Sequence, residues 1–120
     1  MLAHQTGRAG EFLAAYHLQM AGADVYHINA EVDLIVMSAS GKLLAVEVKA
    51  ASKAESNKRR TYAFAINHAK PDFYVFVALD TCRLAVMEAA KIRKRGTMRL
   101  PNYAFSEEAM REGIARIVDA

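Results

Sequence analysis

The first 22 residues carry the hydrophobic spacing of an amphipathic helix. Over residues 6–21, TGRAGEFLAAYHLQMA, apolar side chains recur at the i, i+3, i+4, i+7 spacing that places them on one face of a helix. This pattern predicts a helix whose buried face consists of Ala9, Phe12, Leu13, Tyr16 and Met20. Thr6 is predicted to cap its start and Gly22 to end it.

Most of the remaining hydrophobic positions follow the patterns of β-strands. They predict strands over 24–28, 32–37, 43–48, 61–66, 72–79 and 83–88, with SASGK as a hairpin loop between the second and the third. For 61–69 a helix is the alternative. The segments AAKIRKRG and MRLP indicate a basic connector, and a last helix is predicted from Ser106. The order of helix, sheet and helix in 120 residues predicts one α/β or α+β domain over residues 1–120.

The first hairpin carries charged residues where buried strands have none. If its loop is centred on Ser40, Asp33 lies opposite Glu47 and Glu31 lies opposite Lys49. Directly opposed side chains have Cβ atoms about 4.5–5.5 Å apart, so two carboxylates meet on one face of the sheet. Because side chains alternate along a strand, Lys49 points to the same face as Glu47.

Two opposed carboxylates resist ionising together unless a cation lies between them. Asp33, Glu47 and the backbone carbonyl of Val48 offer hard oxygen ligands that suit Mg²⁺ or Mn²⁺, and Lys49 can stabilise an attacking water or the charge of a transition state. This arrangement is suited to phosphodiester hydrolysis. The alternative is that these charges merely cover a solvent-exposed face. The flanking runs DLIV and LLAVEV, apolar at both alternating positions, favour a sheet covered on both sides.

Three segments together resemble the PD-(D/E)XK nuclease superfamily, in particular its archaeal Holliday junction resolvase-like branch and small intron-encoded endonucleases. They are GRAGEFLAAYHLQMAGADV, EVDLIV and AVEVKA, and Val32 stands where the superfamily name has Pro. The resemblance implies a restriction-endonuclease-like α/β core, in which a mixed central sheet is flanked by an N-terminal and a C-terminal helix. It also implies metal-dependent nuclease activity with four site residues: Glu11, Asp33, Glu47 and Lys49.

The charge of the chain is compatible with a nucleic-acid partner. Lys and Arg number 16 against 13 Asp and Glu, for a net charge of +3 and a pI near 9.1. Basic clusters stand at 58–60 and 93–95, and solvated surface is the alternative to phosphate contact for both. The candidates for contact with DNA are Arg8, Lys53, Lys58, Arg59 and Arg60.

Other features of the sequence bear on the cellular location of the chain. Cys82 is the only cysteine, so no intramolecular disulfide forms, and no segment resembles a signal peptide or a membrane span. These features predict a cytoplasmic protein. The literal Pro71-Asp72 pair is followed by Glu88 without a Lys two residues later, so Asp72 is assigned to the start of a strand.

The sequence therefore predicts an Mg²⁺- or Mn²⁺-dependent endodeoxyribonuclease, for which branched or recombination-intermediate DNA is a candidate substrate. The alternative is a non-catalytic nucleic-acid-binding module of the same fold. Cutting both strands requires two sites, so a homodimer or a dimer of dimers is predicted. The apolar hairpin at 73–88 and the side chains of Ile114, Ile117 and Val118 are candidates for its interface, and burial in the core is the alternative for them.

Overall fold

A computed structural model describes residues 2–28, 32–56, 59–67, 69–92 and 96–120. Three predictions fall on residues outside these ranges: the pairing of Glu31 with Lys49, the DNA contact by Lys58 and the basic cluster at 93–95. The two helices are α1 (Ala3–Met20) and α2 (Glu107–Val118). The strands are β1 (Asp24–His27), β2 (Leu34–Met37), β3 (Leu43–Ala51), β4 (Tyr62–Ile66), β5 (Phe73–Ala78), β6 (Arg83–Glu88) and β7 (Gly96–Leu100).

The strands form a five-stranded sheet and a separate two-stranded ribbon. The order in the large sheet is β1-β2-β3-β5-β6, in which β3 and β5 run parallel and the other neighbours antiparallel. Strands β4 and β7 pair with each other in the ribbon. The predicted α/β class, with a mixed central sheet and two flanking helices, is confirmed.

The two faces of the large sheet are covered by different elements. Both helices pack on one face, where Leu18 of α1 and Ile117 of α2 join Val46 and Val75 in one apolar cluster. The β4–β7 ribbon covers the other face, and its aromatic side chains pack against Phe76 in a second cluster. Because β3 is covered on both sides, its side chains are apolar at both alternating positions, as the flanking runs indicated.

The predicted buried face of α1 is wrong at Phe12, Tyr16 and Met20, whereas Leu13 does pack against the core. The buried residues are Gly10, Ala14, Ala15 and Leu18, whereas Phe12, Tyr16 and Met20 are 59%, 57% and 72% exposed. Small side chains let the helix axis approach the sheet closely, so the face of small residues turns inward. Phe12, Tyr16 and Met20 are left on the outer surface of the helix.

The start of α1 also differs from the prediction. The helix begins at Ala3, with Leu2 and not Thr6 as its N-cap. The Gln5 side chain folds back and its Oε1 accepts a hydrogen bond from the Leu2 backbone N–H at 2.9 Å, which satisfies a donor at the helix start. At the other end Gly22, with φ of +109°, follows the C-cap as predicted.

Gly10 allows the close approach of α1 to β3. A Cβ atom at this position would lie 2.5 Å from the Cβ of Ala50, whereas one at Gly7 would meet nothing within 4 Å. Gly10→Ala should therefore lower the free energy of unfolding by about 1–3 kcal/mol. Gly7→Ala should raise it by up to about 1 kcal/mol through helix propensity. Urea denaturation of both variants measures the difference, and equal effects would contradict the close contact.

Two other predictions are corrected by the fold. The segment expected to be a connector contains β7, in which Met98 and Leu100 face the core while Thr97 and Arg99 are exposed. Much of the apolar surface expected to form an interface is buried within the chain: Ile114, Ile117, Val118 and most of the β5–β6 hairpin. None of the helices in the described ranges is long and apolar enough to cross a lipid bilayer.

Candidate active site

The first hairpin has the predicted register. Leu34 pairs with Val46 and Met37 with Leu43, so the hairpin is centred as the sequence indicated. Asp33 lies one residue before β2, and its Oδ2 accepts a hydrogen bond from the Val48 backbone N–H at 2.8 Å. The N–H and C=O of one strand residue point to the same side. The carbonyl of Val48 therefore faces the same edge of β3 as Asp33.

Glu47 is buried beside Asp33. Its residue surface is only 5% exposed, which rules out the alternative that it covers a solvent-exposed face. The Glu47 Oε2 atom lies 3.6 Å from Lys49 Nζ. Within the residues that the structure describes, Glu47 Oε1 is buried and has no hydrogen-bond partner. A buried oxygen of this kind costs folding free energy, which suggests that a ligand completes the site.

The electrostatic environment holds a proton on Glu47. The pKa of Glu47 is raised from 4.5 to about 7, mainly by burial and then by the hydrogen bond and negative charge of Asp33. Lys49 acts against both effects but does not cancel them. At neutral pH about half of the Glu47 carboxyl groups therefore carry a proton, as expected for a buried carboxyl group that lies opposite a second one without a cation between them.

Tyr74 is a neighbour of the site that the sequence analysis missed. It lies directly across from Glu47 in the parallel β3–β5 pairing, and its hydroxyl donates to the carbonyl of Ala69 at 3.3 Å. Burial raises its pKa, and the charge of Glu47 adds to this effect. The hairpin pattern does not reveal this neighbour, because the parallel partner of β3 lies 27 residues further along the chain.

Glu11 of α1 is partly buried and interacts electrostatically with Asp33. Burial raises the pKa of Glu11, and the charge of Asp33 raises it further, while His27 and Arg8 lower it. The helix therefore brings Glu11 within electrostatic range of Asp33, with Arg8 one turn away. His27 contacts the ring of Phe12, with the ring centroids 5.5 Å apart. Its place beside Glu11 follows from the packing of β1 on α1, which its sequence spacing does not indicate.

The donor set suits a hard cation that retains water. Asp33 and Glu47 offer carboxylate oxygens, and one oxygen of Glu47 is buried with no hydrogen-bond partner in the part of the chain that the structure describes. Among the described residues no three His, Cys, Asp or Glu side chains are placed to hold one metal ion in common. Mg²⁺ is commonly held by one or two carboxylates together with several waters, so the residues present fit Mg²⁺ or Mn²⁺ and do not form a cage of side chains alone.

The other candidate residues lie outside this cluster. Asp72 is structural, since its Oδ2 accepts from the Ala45 backbone N–H at 2.8 Å and its own N–H donates to the Ala45 carbonyl. This agrees with its assignment to the start of a strand. Four candidates for DNA contact are exposed: Arg8, Lys53, Arg59 and Arg60.

A solved structure shares this arrangement of helices and strands. The chain is similar in fold to a bacterial homing endonuclease. The structure, titled I-Ssp6803I, aligns with a TM-score of 0.70 over 83% of this chain and 78% of the homing endonuclease, at 17% sequence identity. No protein-family model and no curated protein sequence matches the chain.

The likeness to the homing endonuclease supports the fold that the family resemblance implied. At 17% identity it concerns the path of the backbone and not the chemistry of individual side chains. The resemblance to Holliday junction resolvases stays a prediction, as do the roles of Glu11, Asp33, Glu47 and Lys49.

Proposed function

We propose that the chain is a metal-dependent DNA endonuclease whose active site is formed by Asp33, Glu47 and Lys49. The observation that carries this proposal is the buried Glu47 oxygen, which has no partner among the described residues and lies next to a second carboxyl group and a lysine. A stable fold would not retain this arrangement for packing alone, since a buried carboxylate lowers stability unless it is compensated. The fold shared with a homing endonuclease supports DNA as the substrate.

Each residue has a role that its position allows. Asp33 and Glu47 would hold Mg²⁺ or Mn²⁺ together with the carbonyl of Val48. The hydrogen bond that Asp33 accepts from the Val48 N–H fixes the Asp33 carboxylate in place. When bound, such an ion supplies positive charge that acidifies a water and neutralises phosphate oxygens. The Lys49 ammonium orients that water or stabilises negative charge on the phosphate. Glu11 assists from the helix side as a proton acceptor or through a bridging water.

The direct test is a cleavage assay with several DNA substrates. The purified chain is incubated with linear duplex, four-way branched and single-stranded DNA, each with Mg²⁺, with Mn²⁺ and with EDTA. We expect cleavage of at least one substrate in the presence of a divalent ion and none in EDTA. Absence of cleavage on every substrate would contradict the proposal. Tight DNA binding without cleavage would favour the non-catalytic binding module.

We also propose that two copies assemble through the outer surface of α1. The exposed side chains of Phe12, Tyr16 and Met20 form a stripe beside β1, the edge strand of the sheet, on which Tyr26 is also half exposed. Together they expose roughly 400–500 Å² of largely apolar surface, the size of the largest patch on a typical monomer, which is often functional. A standard interface buries about 800 Å² per partner, so this stripe has the size of an apolar interface centre surrounded by a polar rim.

Light scattering coupled to gel filtration tests the assembly. The wild-type chain should have the mass of a dimer, and Tyr16→Glu combined with Met20→Glu should have the mass of a monomer, because charge on the stripe opposes its burial. Leu43→Glu is the matched control, since Leu43 is 64% exposed on the hairpin away from α1. A monomeric wild-type chain at all concentrations, or a dimer that survives the α1 substitutions, would contradict this interface.

A further inference from the structure

The outward face of the β4–β7 ribbon differs sharply from its inward face. The inward side chains are large and buried, among them Tyr62, Phe64 and Leu100. The outward positions, where Ala63 pairs with Arg99 and Ala65 with Thr97, carry small residues and one arginine. Such a face lets another molecule approach close to the backbone, and it offers one long side chain with several hydrogen-bond donors.

Basic side chains stand beside this face at both ends of the ribbon. At one end Lys91 and Arg99 border a groove of about 450 Å³ next to Gly96 and Thr97. At the other end a groove of about 870 Å³ is lined by Arg59, Thr61, Arg99, Pro101, Asn102 and Tyr103. The positive charge on both flanks complements a polyanion that lies along the ribbon.

Arg99 is oriented by a neighbour but remains open to solvent. Its Nε donates to Glu55 Oε1 at 3.0 Å, and Glu55 also accepts from the Thr61 hydroxyl at 3.0 Å. The Arg99 side chain is nevertheless 57% exposed. The contact with Glu55 uses Nε, so the two terminal nitrogens of the guanidinium suit a bidentate contact with guanine O6 and N7 in the major groove.

The ribbon also lies on the same sheet face as the candidate active site. The ring of Phe64 packs 4.9 Å from that of Phe76, and the Tyr74 hydroxyl, next to Glu47, donates to Ala69 just beyond the end of β4. The Ile66 end of the ribbon therefore points toward the site. Each strand has five residues, a length of about 16 Å, which matches about five base pairs of rise.

We infer that the outward face of the β4–β7 ribbon enters the major groove of duplex DNA next to the cutting site, with Arg99 reading a guanine. The groove is about 12 Å wide and admits a two-stranded ribbon. The small side chains of Ala63 and Ala65 permit close contact with base edges, Thr97 can contact a base, and Arg59 and Lys91 contact the flanking phosphates. This inference rests on the proposed function, because it identifies the element that selects the DNA.

The test is selection of duplexes from a randomised pool by the full chain in EDTA, where no cleavage occurs. The wild type should enrich sequences with a fixed guanine, and methylation of guanine N7 should weaken its binding. Arg99→Ala should bind the enriched duplex about tenfold to a hundredfold more weakly and lose the preference at that position. Arg111→Ala is the matched control, since Arg111 is also exposed and paired with a glutamate but lies on α2, across the sheet.

A second pair of variants separates an effect on DNA binding from an effect on folding. Ala65→Glu adds negative charge to the outward face and should weaken binding at least tenfold, whereas Ala115→Glu on the exposed side of α2 should leave it unchanged. Circular dichroism confirms that each variant is folded. Folded Arg99→Ala and Ala65→Glu chains that bind within twofold of the wild type, or binding insensitive to N7 methylation, would overturn the inference. If the ribbon variants weaken DNA binding but the wild type does not cleave DNA in Mg²⁺, the proposed nuclease activity is contradicted and the role of the ribbon is not.

Discussion

Lys49→Ala should reduce the rate of DNA cleavage about 100-fold to 1000-fold, the usual effect of removing one group that stabilises transition-state charge. Lys49 Nζ lies 3.6 Å from Glu47 Oε2, and its side chain is only 19% exposed, so its charge acts in a largely dry site. Its loss also removes the cation that counters the raised pKa of Glu47. The measurement is single-turnover cleavage at pH 8 with Mg²⁺, on the substrate that the wild type cuts best.

Lys42→Ala provides the matched control for this loss. Lys42 belongs to the same hairpin but is exposed near its loop, so its removal takes away one positive charge without touching the site. We expect Lys42→Ala to cleave at close to the wild-type rate. If Lys49→Ala kept at least a third of the wild-type rate, or if Lys42→Ala lost as much as Lys49→Ala, Lys49 would have no role in the reaction.

The second large effect concerns stability in the absence of metal. Glu47 has a pKa of about 7 in the folded chain, against 4.5 as its ordinary value. Between these values the folded chain binds more protons than the unfolded chain, so stability falls as pH rises through this range and is constant above it. The free energy of unfolding in EDTA should therefore decrease by about 3 kcal/mol between pH 4.5 and pH 8 on account of Glu47.

Glu47→Gln isolates this contribution. The variant has no carboxyl group to ionise, so it should match the wild type near pH 4.5 and exceed its stability by about 2–3 kcal/mol at pH 8 in EDTA. Glu55→Gln serves as a control of opposite sign, because hydrogen bonds from Arg99 and then Thr61 lower the pKa of Glu55. Urea denaturation at a series of pH values measures all three chains. Parallel curves for wild type and Glu47→Gln would show that the Glu47 pKa is not raised.

The raised pKa of Glu47 also predicts how the wild type responds to metal. An ion that requires both carboxylates in their charged form competes with the proton on Glu47, so binding should tighten as pH rises from 6 to 8. Added Mg²⁺ should then restore the stability that the wild type loses at high pH, through mass action on the folded state. Glu47→Gln should show little of this recovery.

Local patterns in the sequence were sufficient to predict the first hairpin. Its strands are adjacent in the chain, so alternation and a short loop fix the register, and the pairing of Leu34 with Val46 follows. The meeting of Asp33 with Glu47 was predictable for the same reason. The terminal helix was also predictable, because Ser106 accepts from the Ala109 N–H and so caps it.

Local sequence patterns did not reveal the features that depend on tertiary packing. The large apolar side chains of α1 satisfy a helical pattern, yet the close contact of Gly10 with Ala50 decides which face turns inward. Strand β7 is short and contains a charged residue. It forms a strand because it pairs with β4, which is distant in sequence. Tyr74 is brought to Glu47 by a parallel pairing whose register no short-range signal encodes. In each case the deciding contact joins residues far apart in sequence.

A crystal of the chain grown with Mn²⁺ at pH 8 would show whether Asp33 and Glu47 bind a metal ion together, because anomalous scattering locates the ion independently of protein density. We expect an anomalous peak in contact with the carboxylates of both Asp33 and Glu47. Glu47→Gln crystals grown in the same way should lack this peak. Mn²⁺ bound only elsewhere on the chain, with no peak between these two side chains, would contradict the claim that they form a metal site for DNA cleavage.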